Sequence, residues 1–197
     1  MISIRVATID DAEGILAIYT PYITDTSFTF EIDVPSLKDF QKRIADYLIH
    51  WPWLVCEVNG MIAGYAYGAK YRERTGYQWC VESSIYIHDD FLKQKVGKAL
   101  YESLFDILKR QGYRNVYAVI NLPNDRSVKF HESCGFNYFA TYKNVGYKLG
   151  KWKNVGWWQL ILNEYSMEPD PPVKFSELNK DFLKNLFNEK SKLVLPG

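Results

Sequence analysis

A chain of 197 residues is long enough for one well-buried domain and leaves little room for a second. Apolar residues make up 47% and charged residues 24%, the balance of an ordinary soluble globular protein, and a net charge of +1 removes the electrostatic reason to expect nucleic acid or an anionic membrane as partner. No apolar run approaches membrane-spanning length, and Met1-Ile2-Ser3-Ile4-Arg5 lacks the apolar core of a signal peptide, so a cytoplasmic, soluble protein is expected.

The 15 tyrosines and 6 tryptophans imply a lined pocket or a large interface without distinguishing them. Cys56, Cys80 and Cys134 are an odd set with no paired metal-ligand spacing. Free, buried thiols in a reducing compartment are expected, and no metal site.

In chain order, Ile2, Ile4 and Val6 alternate as a short strand. Asp10 or Asp11 can cap a helix turning Ala12, Ile15, Leu16, Ile18 and Tyr19 inward, with Pro21 near its end. Thr26–Glu31 is an aromatic loop. Ser36 can cap a second helix to about Ile49, with Leu37, Phe40, Ile44 and Leu48 as its stripe. Leu54–Val58 and Met61–Tyr71 read as strands joined by Asn59-Gly60, a strong hairpin signal. Gly64, Ala66 and Gly68 are small residues over which something large can lie, and Arg72–Gly76 turns the chain into the next strand.

The stretch Val81–Tyr113 organises the rest. Val81, Ser83, Ile85 and Ile87 fall on one face of a strand, and Glu82, Ser84 and Tyr86 on the other. After His88-Asp89-Asp90 the period becomes helical: Val96, Ala99, Leu100, Leu104, Ile107 and Leu108 recur three or four apart, and Gly112 stands at a left-handed cap position. Leu92–Lys98 lies between. Free N–H groups, the helix dipole, Gly97 and the charges of Lys93, Lys95 and Lys98 suit an anion there; a solvated, lysine-rich helix start is the other reading.

Val116–Ile120 is a nearly unbroken apolar strand, expected to be buried on both faces. Asn124 can cap, and Gly135 end, a further helix. Phe136–Tyr147 and Val155–Leu162 read as two last strands, with Lys148–Trp152 in the connection. Beyond Pro169-Asp170-Pro171-Pro172, Leu178, Phe182, Leu183, Leu186 and Phe187 form an amphipathic tail helix that Ser176 can cap. The expected architecture is a mixed α/β sheet with antiparallel hairpins flanking a βαβ-like centre, residues 1–165. Residues 166–197 form a Pro-containing linker and a helix packed on the domain or on a second subunit.

These elements, with Gly64-Tyr65-Ala66-Tyr67, Arg72-x-Arg74, Val81-Glu82-x-Ser84-Ile85-Tyr86-Ile87, Leu122–Asn124, Phe130-His131-Glu132-x-x-Gly135-Phe136 and Val145-Gly146-Tyr147-Lys148-x-Gly150-x-Trp152, resemble the GNAT acyltransferases. More narrowly, the chain is similar to their phosphinothricin/methionine sulfoximine acetyltransferase branch, over most of Ile2–Leu162. The resemblance implies an acetyl-CoA N-acetyltransferase acting on a small amino acid or toxic amino-acid analogue, commonly a homodimer. It places coenzyme A in a V between splayed parallel strands, those of Ile85–Ile87 and Val116–Ile120.

Acyl transfer to an amine needs a neutral amine, a polarised carbonyl and a proton for the departing thiolate. Glu82, a lone carboxylate among apolar strand residues, suits the base, directly or through a water; the other reading is a salt bridge to Arg72 or Arg74. The resemblance makes the Ile87 N–H the oxyanion donor, freed by a bulge at the strand end. His131 stands where many GNAT enzymes carry a Tyr serving the departing sulfur; a structural imidazole is the other reading. The coenzyme would lie along Ile85, Tyr86 and Ile87, over Lys93, Lys95, Val96, Gly97 and Lys98, and beside Asn124, Ser127 and Lys129. Asn124 is equally a plain cap.

On the acceptor side, Arg72 and Arg74 would share one face of an extended segment, where a guanidinium matches a carboxylate or phosphinate. Phe28, Phe30 and Tyr147 would wall the pocket and Lys148 add charge; aromatic core and solvated loop charge are the plain readings. The chain departs from the family's Gln/Arg-x-x-Gly-x-Gly/Ala loop with Leu92 at the leading position and Lys95 at the first glycine, which sets a β-carbon where backbone should meet pyrophosphate. Asn154 stands where the branch commonly has Asp. Two alternatives follow: a GNAT-fold module that binds without turnover, or acetylation of a protein N-terminus or another amine, with Arg72 and Arg74 set against a polycationic acceptor.

Overall fold

In the computed structural model, which describes residues 1–196, one sheet is formed by β1 (Ile2–Val6), β2 (Trp53–Val58), β3 (Met61–Lys70), β4 (Cys80–Ile87), β5 (Asn115–Leu122), β6 (Asn137–Lys148) and β7 (Lys151–Ile161). The spatial order is β1-β2-β3-β4-β5-β7-β6. Neighbours are antiparallel except β4 and β5, which run parallel. The helices are α1 (Ala12–Thr24), α2 (Leu37–His50), α3 (Val96–Gln111), α4 (Asp125–Ser133) and α5 (Lys180–Lys190).

Local chemistry accounts for most boundaries. Asn59-Gly60 and Leu149-Gly150 each take positive φ at both positions, the backbone of a two-residue hairpin whose twist matches its strands. The second turn is therefore tighter than the sequence predicts: Lys148, Lys151 and Trp152 belong to the ladder, not to a connection. Ser36 Oγ accepts the Asp39 N–H and Asn124 Oδ1 the Ser127 N–H, closing the first turns of α2 and α4. Pro21 lies near the end of α1, as expected, and the helix runs on to Thr24 because a prolyl carbonyl still accepts, here from Asp25 N–H. Two details differ from expectation. Asp11 is taken up by the Arg5 guanidinium at 2.7 Å and does not cap α1. Asn179, not Ser176, caps α5; Ser176 Oγ donates to the Ile49 carbonyl.

Two cores sandwich the sheet, and they are unequal. On one face α3 lays Val96, Ala99, Leu100, Leu104 and Leu108 against Ala66, Val81, Val116, Ala118 and Ile120. On the other, α1 and α2 bring Ile15, Ile18, Tyr19, Phe40 and Ile44 onto Trp53, Val55 and Tyr65. Each fully buried Val, Leu, Ile or Phe among them contributes about 1.5–3 kcal/mol. The second core stops at β4. Beyond it, Tyr117 and Trp157 lie on a face that no helix packs against among the described residues, and Val119 is 38% exposed. The expectation that β5 is buried on both faces is thus corrected: its apolar residues serve a core on one side and an open surface on the other.

Candidate active site

β4 and β5 pair only at Cys80–Asn115, Val81–Val116 and Glu82–Tyr117. Past that point β4 stays on β3 as far as Gly64–Ile87, and β5 stays on β7 as far as Leu122–Asn154. The central strands diverge into a V whose inner edges carry unpaired backbone groups. His88 N–H donates to the Ala63 carbonyl at 2.9 Å, so by strand alternation the Ile87 N–H points to the opposite edge, into the V. The β3–β4 register is unbroken, so no bulge frees that N–H, as the sequence reading supposed; the splay does. Tyr22 Oη donates to the Ile87 carbonyl from the same side at 3.2 Å.

Glu82 is the last paired residue before the strands part. Its half-buried carboxyl has no hydrogen bond or ion pair among the described residues, so the salt bridge to Arg72 or Arg74 is not formed. Burial pushes it up to about 7, with the more distant Arg72 charge drawing it back only in part.

Arg72 lies beyond the end of β3, its guanidinium over the Tyr71 ring at 5.1 Å and the Trp157 ring at 5.9 Å. Tyr71 stacks on Tyr117 at 4.5 Å, so Arg72, Tyr71, Tyr117 and Glu82 follow one another across the open face. Arg74 opens a 3-10 turn, so the two arginines do not share an extended strand. Both nevertheless line one cleft of about 270 Å³ with His50, Trp51 and Pro172; Glu82 is not in its wall.

The loop Thr26–Glu31 is pinned at several points. Tyr19 Oη meets Thr29 Oγ1 at 2.7 Å, Arg43 pairs with Glu31 at 2.6 Å, and Asn121 Nδ2 donates to the Ser27 carbonyl. Lys148 is buried and its ammonium donates to the Thr29 carbonyl at 2.8 Å, while burial lowers its pKa. It is therefore a strut under the loop rather than a charge lining the pocket. Phe30 covers Gly146, where an added Cβ would strike its ring; an isolated strand glycine was the sequence signal for this approach. Phe28 stays partly exposed. Tyr147 lies on the opposite side of β6 from Lys148, exposed against Trp152. Arg43 and Asn121 had no sequence signal.

At the other end of the V, Lys93 and Lys95 adopt positive φ, 63° and 62°. The first helical bond of α3 is Ala99 N–H to Lys95 carbonyl, leaving the N–H groups of Val96, Gly97 and Lys98 without an acceptor among the described residues. The side chains of Lys93, Lys95 and Lys98 are exposed. A Cβ on Gly97 would lie 3.1 Å from the Phe130 ring, so this glycine is needed for α3 to meet α4. Ile85 packs at the same point, whereas Tyr86 turns its ring away, against Tyr19, Tyr22 and Tyr65.

His131 is buried, and both ring nitrogens are engaged. The Ser127 carbonyl, which can only accept, lies 2.8 Å from Nδ1 and so fixes the proton there; Nε2 accepts from Tyr101 Oη at 2.9 Å, itself 3.3 Å from Ser83 Oγ. Burial lowers its pKa, keeping the ring neutral. No imidazole proton is left for a departing sulfur, which overturns a direct acid role for His131 on geometric grounds. Lys129 is exposed on α4.

Residues 4–157 match the family model of the acetyltransferase (GNAT) domain. The chain is 35% identical over 158 residues to a phosphinothricin N-acetyltransferase of Streptomyces viridochromogenes, covering 80% of this chain and 86% of that one. It is 32% identical to an L-methionine sulfoximine/L-methionine sulfone acetyltransferase of Salmonella typhimurium, covering 83% and 96%. The structure of yncA, a putative acetyltransferase from Salmonella typhimurium with its cofactor acetyl-CoA, superimposes with a TM-score of 0.81 at 30% identity, over 86% of this chain and 98% of that one. With its parted central strands and the carboxylate at their fork, the chain belongs to the GNAT acetyltransferases.

Proposed function

We propose that the chain transfers the acetyl group of acetyl-CoA to the α-amine of a small amino acid or amino-acid analogue, of the phosphinothricin or methionine sulfoximine kind, in a ternary complex. The observation that carries this is Glu82: a carboxylate held near pH 7 by burial, without a partner, where the strands part. The coenzyme fits the residues present. Three unpaired N–H groups at the start of a helix, beside three exposed lysines, form an anion cradle, and the V leads from it toward Glu82. The backbone of Ile85–Ile87, the N–H groups of Val96, Gly97 and Lys98, and Asn124, Ser127 and Lys129 on α4 would hold it. When bound it supplies an activated thioester.

The chain's own groups do the rest. Glu82 accepts the proton that makes the acceptor amine nucleophilic, directly or through one water. The Ile87 N–H, aimed into the V, donates to the carbonyl oxygen as charge gathers there. His131 acts through position, tying α4 to α3 through Tyr101. Arg72 offers two parallel N–H groups to the acceptor's anionic end. The left-handed backbone at Lys95, despite its side chain, removes the motive for a binding-only module.

Residues 1–165 would be the catalytic domain and 166–197 an appendage to it. A homodimer through β6 is supported by its exposed Tyr138, Phe139, Tyr142 and Val145 on an edge strand. The free thiols of Cys56, Cys80 and Cys134 support a reducing, cytoplasmic setting. Among the described residues, no helix is long and apolar enough to cross a membrane. Titration calorimetry with acetyl-CoA, followed by thiol release against a panel of amino acids, polyamines and peptides, tests the reading. Heat on coenzyme binding and turnover with methionine sulfoximine or phosphinothricin are expected; no heat at millimolar ligand would reject it.

A further inference from the structure

Residues 166–196 lie beyond the matched family domain, yet they end at the coenzyme loop. The segment runs along α3 from end to end. Val173 N–H donates to the Gln111 carbonyl, at the C-terminus of α3, and Gln111 Nε2 returns a bond to Val173. Phe175, Leu186 and Phe187 join the core beneath α3. Lys190 spans to Asp106 at 3.0 Å and Glu102 at 3.4 Å, both on α3. Ser191 Oγ accepts the Ile4 N–H, Val194 is buried, and Leu195 N–H donates to the Gln94 carbonyl at 2.9 Å.

Gln94 is the residue between the two left-handed lysines. A non-glycine residue in that conformation costs of order 1–3 kcal/mol and persists only where its surroundings over-determine it. Within the loop the restraints are few: Gln94 Nε2 donates to the Asp90 carbonyl at 3.1 Å, and Ala99 N–H to the Lys95 carbonyl. Among the described residues, the main-chain bond from Leu195 is the one hydrogen bond that a distant part of the chain makes to the segment Lys93–Lys95.

We propose that the C-terminal segment is a brace that, through Gln94, holds Lys93 and Lys95 in the left-handed form. It does there what glycine does in the usual loop, with Leu195 as a positioning residue for the coenzyme through its backbone N–H. This rests on the loop being the seat of the diphosphate. The gain is preorganisation: ordering the loop before binding removes its ordering cost from the affinity.

The full-length Leu195→Pro variant removes the N–H, and Val194, with φ −73° and ψ 129°, already has the conformation a following proline demands. Losing one such bond should raise the acetyl-CoA Kd and KM about fivefold, with kcat at saturation, acceptor KM and Tm unchanged. Leu195→Ala, which keeps the N–H, should bind as the parent does. In a Lys95→Gly background the Leu195→Pro effect should shrink to less than about twofold, because glycine needs no brace. An unchanged Kd for Leu195→Pro, or the same loss in the Lys95→Gly background as in the parent, would overturn the brace. Lys93→Glu separates the two readings. If it weakens acetyl-CoA while Leu195→Pro does not, the brace alone is wrong; if neither moves the Kd, the loop is not the diphosphate seat and both fall.

Discussion

One face of the sheet has two halves with opposite fates. Over β1–β4, α1 and α2 bury Trp53, Val55 and Tyr65 beneath Ile15, Phe40 and Ile44. Over β5, β7 and β6 no helix follows among the described residues, and Val119, Phe139 and Tyr142 remain exposed around Trp157. Glu82 lies on the boundary, on the last strand of the covered half and beside the first of the open one. This placement decides its chemistry. Full cover would leave an uncompensated buried charge, and full exposure would give an ordinary acid; at the margin, burial raises the carboxyl to about 7 while an acceptor can still reach it. The covered half supplies stability and the open half supplies access.

Breaking the boundary residue should have the largest effect. Glu82→Gln is expected to lower kcat by about 10²–10⁴ while calorimetric acetyl-CoA affinity holds; parental turnover would remove Glu82 from the mechanism. Because the base works deprotonated, kcat/KM of the parent should rise with pH to about 7 and then level. The same shift has a sign for stability. Between its ordinary value of 4.5 and about 7 the folded chain keeps a proton that the unfolded chain has lost, so this group's contribution to stability falls as pH rises through that window. Thermal melts should therefore find Glu82→Gln more stable than the parent at pH 8 and level with it at pH 4.

Phe40→Ala, wholly inside the covered half, should cost about 3–5 kcal/mol in denaturant unfolding. The kcat of the folded fraction should stay within about twofold of the parent. A loss of rate with no loss of stability would erase the division of labour between the halves. Arg72→Ala in the open half should do the reverse, raising acceptor KM about tenfold through the lost charged contact with stability held. Tyr142→Lys on the edge strand should act on assembly more than on chemistry. It should shift light-scattering mass from dimer toward monomer, with kcat changed by less than about threefold, since rim charges act mainly on association.

Much of this was legible in residue order. The switch from period two at Val81–Ile87 to period 3.6 at Val96–Leu108 marked the strand and helix that bracket the coenzyme loop, and Asn59-Gly60, Ser36 and Asn124 marked turns and caps that the structure realises. Such features are local: a few adjacent residues hold all the information they need. Lys148 shows the limit. Its charge suggested a pocket lining, but the carbonyl it serves belongs to Thr29, far away along the chain. The same holds for Arg43 and Glu31, Asn121 and Ser27, and the two bonds that occupy the His131 ring.

By itself the amino-acid sequence determined the elements, their order, the Asn59-Gly60 hairpin and the family, because propensity, periodicity and turn chemistry act over a few residues. Only the tertiary structure decided that β4 and β5 part after Glu82, which face of β5 stays open, and that Leu195 reaches Gln94. Those outcomes depend on which distant surfaces compete for the same strand edge, and burial, the cause of the raised Glu82 pKa, exists only once that competition is over.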